Sequence, residues 1–121
     1  MGTPILICDD STMARKQIAR LLPTDWDVDI AYAKNGVECM EVLRSGDIDM
    51  VFLDLTMPEK DGYSVLKSIQ EESIQTTVVV ISADIQPEAR ERVMALGATD
   101  FIKKPVDQFK LEDVLTRYGL I

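Results

Sequence analysis

The sequence predicts an α/β fold, a doubly wound five-stranded parallel sheet with five helices in three α/β/α layers. Three observations carry that prediction. Strand-like and helix-like segments alternate five times along 121 residues. Residues 5–8, 50–53 and 78–81 are uninterrupted apolar runs, the pattern of strands covered on both faces. Apolar stripes at helical spacing follow each strand.

Ile5, Leu6, Ile7 and Cys8 form the first strand, and Ala14, Ile18, Leu21 and Leu22 give the first helix its stripe. Residues 25–32 alternate polar and apolar as a second strand, with Val28, Ile30 and Tyr32 on one side. Asn35-Gly36 breaks the chain before a helix with Cys39, Met40 and Leu43 on its apolar face. Met50, Val51, Phe52 and Leu53 form the third strand. Pro58 and Gly62 mark a loop, and Gly62, Val65, Leu66 and Ile69 make the third stripe. Val78, Val79, Val80 and Ile81 form the fourth strand. Pro87 suits the first turn of the fourth helix, which carries Ala89, Val93 and Met94, and Gly97 suits its C-terminal end. Residues 99–102 form a short fifth strand, and Leu111, Val114, Leu115 and Tyr118 stripe the last helix.

Strands one, three and four are continuously apolar and belong in the centre; strands two and five are mixed or short and belong at the edges. The flavodoxin-like order 2-1-3-4-5, an established arrangement of doubly wound sheets, satisfies this. One domain over residues 1–121 is expected, since a chain of this length buries roughly two thirds of its unfolded surface.

In such sheets ligands bind beyond the C-terminal strand ends, where the strand order reverses, here between strands one and three. Strand one ends in Asp9-Asp10, strand three in Asp54, strand four in Ser82 and strand five in Lys103-Lys104-Pro105. Taken singly, Asp9-Asp10-Ser11 is a helix cap, Asp54 a loop opener, Ser82 a turn hydroxyl and Lys104 a solvated lysine. Together they bring three acids, a hydroxyl and an amine to one place. Two carboxylates ~4 Å apart repel by roughly 4 kcal/mol at an effective dielectric of 20. Either one is protonated or a cation lies among them. Oxygen ligands without Cys or His favour Mg²⁺, or Mn²⁺. Mg²⁺ commonly pairs carboxylates with phosphate oxygens, so phosphoryl transfer is the expected chemistry. Asp54 is then the nucleophile, Lys104 and the metal stabilise phosphoryl charge, and Ser82 offers a hydroxyl to the attached group.

Composition excludes other classes. Thirteen Lys and Arg against 21 Asp and Glu give a net charge of -8, which disfavours nucleic acid and anionic membranes. It suits cations and basic partner patches. The absence of histidine removes a Ser-His-Asp triad, a His zinc site and an internal phosphohistidine. Cys8 and Cys39 read as small core residues, which points to a reducing cytoplasm. No signal peptide or apolar run near 18 residues occurs.

The segments ILICDDS, LDLTMPEKDG, VVVISA and GATDFIKKP, in this order, resemble the receiver domain of two-component response regulators, across essentially the whole chain. The resemblance implies a signalling protein rather than an enzyme, catalysing only its own phosphorylation and dephosphorylation. Asp54 would be the phosphoacceptor and Asp10 a direct Mg²⁺ ligand. Asp9 would act mainly through water, with the Thr56 backbone carbonyl completing the protein ligands. Ser82 matches the family's Ser/Thr position, Lys104 its lysine, and the Lys104-Pro105 bond would be cis. Phe101 matches the switch aromatic, which turns inward as Ser82 moves toward the phosphoryl group. Partners would meet the face formed by the fourth helix, fifth strand and fifth helix. Thr56 and Asp84 occupy the two positions that tune phosphoryl lifetime. The resemblance also implies a separate histidine kinase or phosphotransfer protein as donor and an output protein or fused output domain as recipient.

Three rivals share features with this reading. A haloacid-dehalogenase-like phosphohydrolase would put its acidic pair last and a second Asp where Thr56 stands. In a flavodoxin-like flavin binder, Asp9-Asp10 would repel the phosphate. The chain could also be a receiver excised from a longer regulator.

Overall fold

A computed structural model describes residues 2–83 and 86–121. Its elements run β1 (Thr3–Cys8), α1 (Thr12–Leu21), β2 (Val28–Ala33), α2 (Gly36–Ser45), β3 (Met50–Leu53), α3 (Gly62–Glu71), β4 (Thr77–Ser82), α4 (Pro87–Ala95), β5 (Asp100–Lys103) and α5 (Gln108–Arg117). The strands pair in parallel in the order β2-β1-β3-β4-β5, as expected.

Because side chains alternate along a strand, each central strand feeds two cores. Leu6 and Cys8 of β1 face one side and pack with Cys39, Met40 and Leu43 of α2, Val65, Leu66 and Ile69 of α3, and Val93 of α4. Ile5 and Ile7 face the other, with Ile18 of α1 and Leu111, Val114 and Leu115 of α5. This divides the helices three to one face and two to the other.

Local signals set the helix ends. Ser11, Asn35, Asp61 and Asp107 each accept a hydrogen bond from the backbone N–H three residues on, capping α1, α2, α3 and α5. α4 opens instead with Pro87, whose missing N–H costs nothing in a first turn. Gly97, at φ +97°, closes α4: its N–H donates to the Met94 carbonyl, and the Ala98 N–H donates to that of Val93. Gly119, at φ +72°, closes α5 in the same way, with the Leu120 N–H donating to the Leu115 carbonyl.

Two expectations need correction. The second strand begins at Val28, not Asp25. The Trp26 N–H donates to the Pro23 carbonyl in a turn, and pairing with β1 starts only at Thr3 opposite Val28. Tyr32, Met94 and Tyr118 are 48%, 38% and 41% exposed, so none joins the core as its apolar pattern suggested. Tyr32 stands on the edge strand beside Thr12, Arg15 and Lys16, where α1 is only beginning.

Asn35-Gly36 does more than interrupt the chain. A Cβ on Gly36 would lie 2.1 Å from the Lys60 carbonyl oxygen, so α2 and the loop before α3 meet through the missing side chain. Gly36→Ala is expected to cost about 1–3 kcal/mol of unfolding free energy, read by urea denaturation, because the obstacle is backbone.

Candidate functional site

The ladder carries the acids to one place. Cys8 pairs with Leu53, and hydrogen bonds continue past the strand ends: the Asp54 N–H donates to the Cys8 carbonyl at 2.9 Å and the Asp9 N–H to the Ala33 carbonyl at 3.1 Å. Asp9 and Asp54 therefore leave adjacent strands side by side. On the far side Ser82 pairs with Lys103, and the Lys104 N–H donates to the Ser82 carbonyl at 2.8 Å. The Lys104-Pro105 peptide is cis.

The result is one acidic pocket. Asp9, Asp10 and Asp54 each offer a carboxylate oxygen, and these oxygens lie within 4.8 Å of one another. Asp9 and Asp54 are buried, while Asp10 is exposed. The Lys104 Nζ lies 3.0 Å from Asp9 Oδ2 and 3.6 Å from Asp54 Oδ1. Asp9 is held further, because its Oδ1 accepts the Ser11 N–H at 2.9 Å and its carbonyl accepts Arg15 at 2.6 Å. Ser11 is the actual cap of α1, so Asp9 and Asp10 are left for the pocket.

The electrostatics follow from burial and crowding. Burial raises the Asp54 carboxyl first, and Asp9 raises it further; Lys104 opposes them, Asp10 adds to the rise, and the Leu55 N–H lowers it, leaving the pKa at about 6. For Lys104, burial acts downward, but the hydrogen bond to Asp9 and the charges of Asp54 and Asp9 outweigh it and the ammonium is held above its ordinary value. A buried carboxylate raised by its acidic neighbours is suited to a bound cation, and an oxygen-only donor set fits a hard divalent ion such as Mg²⁺.

The β3–α3 loop is fixed against the pocket. Leu55 and Met57 are buried, and the Gly62 N–H donates to the Leu55 carbonyl at 3.0 Å. A Cβ on Gly62 would lie 2.5 Å from the Asp54 carbonyl oxygen, so glycine lets α3 begin directly under the acid. Thr56 is exposed in this loop, two residues beyond Asp54. Ser82 is buried at the end of β4. Phe101 is half-buried on β5, against the core on the α4 side. Asp84 lies outside the described residues.

Sequence reasoning missed Asp100. It is 2% exposed and accepts the Phe101 N–H at 2.7 Å, Arg117 at 2.9 Å, the Tyr118 hydroxyl at 3.3 Å and Arg90 at 3.5 Å. It ties β5 to both flanking helices. An acid inside a predicted strand was the available signal.

Fold and pocket together define a doubly wound α/β domain with three clustered acids at its switch point. Residues 5–116 match the response regulator receiver domain, and the chain belongs to that family. It is 32% identical over 117 residues to the chemotaxis protein CheY of Bacillus subtilis, covering 97% of this chain and 98% of that one. It is 36% identical over 104 residues to protein-glutamate methylesterase/protein-glutamine glutaminase 3 of Rhodospirillum rubrum, covering 85% of this chain and 28% of that one. The chain spans 28% to 34% of the length of such methylesterase relatives. The CheX-CheY-BeF₃-Mg²⁺ complex from Borrelia burgdorferi superposes with a TM-score of 0.88 at 29% identity, covering 96% of this chain and 88% of that one. Among the described residues, no helix is long and apolar enough to cross a membrane.

Proposed function

We propose that the chain is a signalling phosphoacceptor that takes a phosphoryl group onto Asp54 in a Mg²⁺-dependent reaction and thereby switches the face formed by α4, β5 and α5. The observation that carries this is the buried Asp54 carboxylate, clustered with Asp9 and Asp10 and 3.6 Å from the Lys104 ammonium. In the transfer, an Asp54 oxygen forms a bond to phosphorus as the bond to the donor breaks, leaving an acyl phosphate. The proposed donor is a phosphohistidine on a histidine kinase or phosphotransfer protein; the residues of this chain include no histidine to serve instead.

A Mg²⁺ ion held there would supply charge neutralisation for the transfer. Asp10, exposed at the rim, and Asp54 would hold the ion directly, with the Thr56 carbonyl as the third protein oxygen. Asp9 would act on the ion through water, in keeping with a carboxylate already bound to Ser11 and Lys104. Lys104 holds the phosphoryl oxygens once Asp54 is phosphorylated. Ser82 donates its hydroxyl to the same group, and its movement lets Phe101 turn inward. Thr56 and Asp84 set how readily water reaches the acyl phosphate.

The switched face serves an output protein or a fused output domain. We read residues 1–121 as one receiver domain working in the cytoplasm. The longer methylesterase relatives favour a second arrangement, in which a domain of this kind forms part of a larger regulator; the full reading frame distinguishes the two.

Acetyl phosphate with Mg²⁺ is expected to add the mass of one phosphoryl group to the chain, seen by intact mass spectrometry. Asp54→Asn is expected to abolish that addition. No addition to the native chain, or an equal one in the variant, overturns the assignment.

A further inference from the structure

Asp9 is gripped at every polar group it has. Its N–H donates to the Ala33 carbonyl at 3.1 Å, its Oδ1 accepts the Ser11 N–H at 2.9 Å, and its Oδ2 accepts Lys104 at 3.0 Å. The remaining group, its carbonyl, accepts the Arg15 guanidinium at 2.6 Å. A second nitrogen of that guanidinium donates to the Thr12 hydroxyl at 3.1 Å, so the planar fork is fixed at two points.

Electrostatics gives no reason for an arginine here. Arg15 is the fourth residue of α1, close to the positive end of the helix, and the first turn carries no acid to offset it. Among the described residues it has no ion-pair partner. Its charge rests on the carbonyl that leads into Asp10, beside a pocket proposed for a cation. Its use is therefore geometric. The peptide joining Asp9 to Asp10 is planar, so fixing the Asp9 carbonyl also fixes where Asp10 starts. The Ser11 N–H, bound to Asp9 Oδ1, closes a turn over Asp10 from the other side. The exposed Asp10 carboxylate has no ion-pair partner among the described residues, so its aim toward Asp54 comes from the backbone beneath it.

We infer that Arg15 is a positioning residue for the metal site. Through the Asp9 carbonyl it holds the Asp9-Asp10 peptide so that an Asp10 carboxylate oxygen stays within 4.8 Å of those of Asp9 and Asp54. The inference rests on the Mg²⁺ reading proposed above and adds the residue that keeps its exposed ligand in place. The direction of the effect separates this role from others. Arg15→Met removes the charge and the donors but keeps an unbranched stem beside Tyr32. Loss of a positive charge near a cation site by itself tightens Mg²⁺ binding. Loss of positioning weakens it. An arginine that merely stabilised the fold would therefore leave the affinity unchanged or raise it.

The test titrates the full chain with Mg²⁺ by calorimetry, beside ¹⁵N relaxation in EDTA. Arg15→Met should bind Mg²⁺ roughly tenfold more weakly than the native chain, the scale for groups that steady a metal ligand from outside the site. Arg15→Lys, which keeps the charge and returns one donor, should recover part of that loss. In the metal-free protein the Asp10 amide should become more mobile in Arg15→Met on the picosecond-to-nanosecond timescale, while the amides of β1 stay rigid. The inference is overturned if Arg15→Met binds Mg²⁺ equally or more tightly, if Arg15→Lys recovers none of the loss, or if the Asp10 amide keeps its native order. A native chain that binds no Mg²⁺ removes the metal reading, and the Asp10 order parameter alone then decides whether Arg15 holds that residue. Acetyl phosphate uptake, followed in parallel, separates the two claims. Uptake by the native chain with unchanged Mg²⁺ binding in Arg15→Met removes only the positioning role, and weakened binding without any uptake removes only the phosphoacceptor.

Discussion

Asp10→Ala should weaken Mg²⁺ binding by at least roughly tenfold and leave the metal-free fold intact. The two halves of this result have separate causes. Asp10 is exposed, so truncation opens no cavity and orphans no buried partner. Its carboxylate is nevertheless one of three whose oxygens lie within 4.8 Å, and it is the one without a lysine or backbone donor holding it among the hydrogen bonds and ion pairs that bind Asp9 and Asp54. It is therefore the acid most available to a cation. Removing it also removes repulsion, so the metal-free variant should melt at or slightly above the native temperature. Calorimetric titration with Mg²⁺ and a thermal melt in EDTA measure both. Unchanged affinity takes Asp10 out of the site, and a large loss of metal-free stability contradicts its exposed, unpacked setting.

The fold was legible because each of its determinants is local. Continuous apolar runs mark the central strands, and helix stripes and caps mark what covers them. The acidic pocket was legible for the same reason: parallel strands all deliver their C-terminal residues to one edge, so the residues after Cys8, Leu53, Ile81 and Lys103 had to meet. What stayed hidden was decided between elements. Nothing in the alternation of residues 25–32 shows that pairing with Thr3 starts only at Val28. Tyr32 follows the inward pattern, but whether a helix covers it depends on where α1 begins. The requirement for glycine at 36 and 62 comes from the Lys60 and Asp54 carbonyls, distant from or unpredictable by any turn rule. Asp100 reads as a polar lapse in an edge strand until Arg90, Arg117 and Tyr118 are seen around it.

The pocket should also make the metal-free protein less stable as pH rises. Asp54 titrates near 6 in the folded chain against an ordinary value of 3.8, chiefly because burial disfavours its charge. Between those values the folded state binds more protons than the unfolded one, so this group contributes a falling stability from about pH 4 to pH 6, and above pH 6 the loss is complete. A difference near two pH units corresponds to about 2–3 kcal/mol. Other carboxylates change stability over the same range, so the measurement is a difference. Asp54→Asn should match the native chain below about pH 4 and exceed it by about 2 kcal/mol at neutral pH, in urea unfolding with EDTA present. The neutral amide keeps the volume of the acid and lacks its charge, and Lys104 retains Asp9 at 3.0 Å. Saturating Mg²⁺ should then stabilise the native chain more than the variant, since a ligand that binds only the folded state raises its stability by mass action. A constant gap across pH, or a less stable variant at neutral pH, would mean that Asp54 is not the strained acid of this pocket.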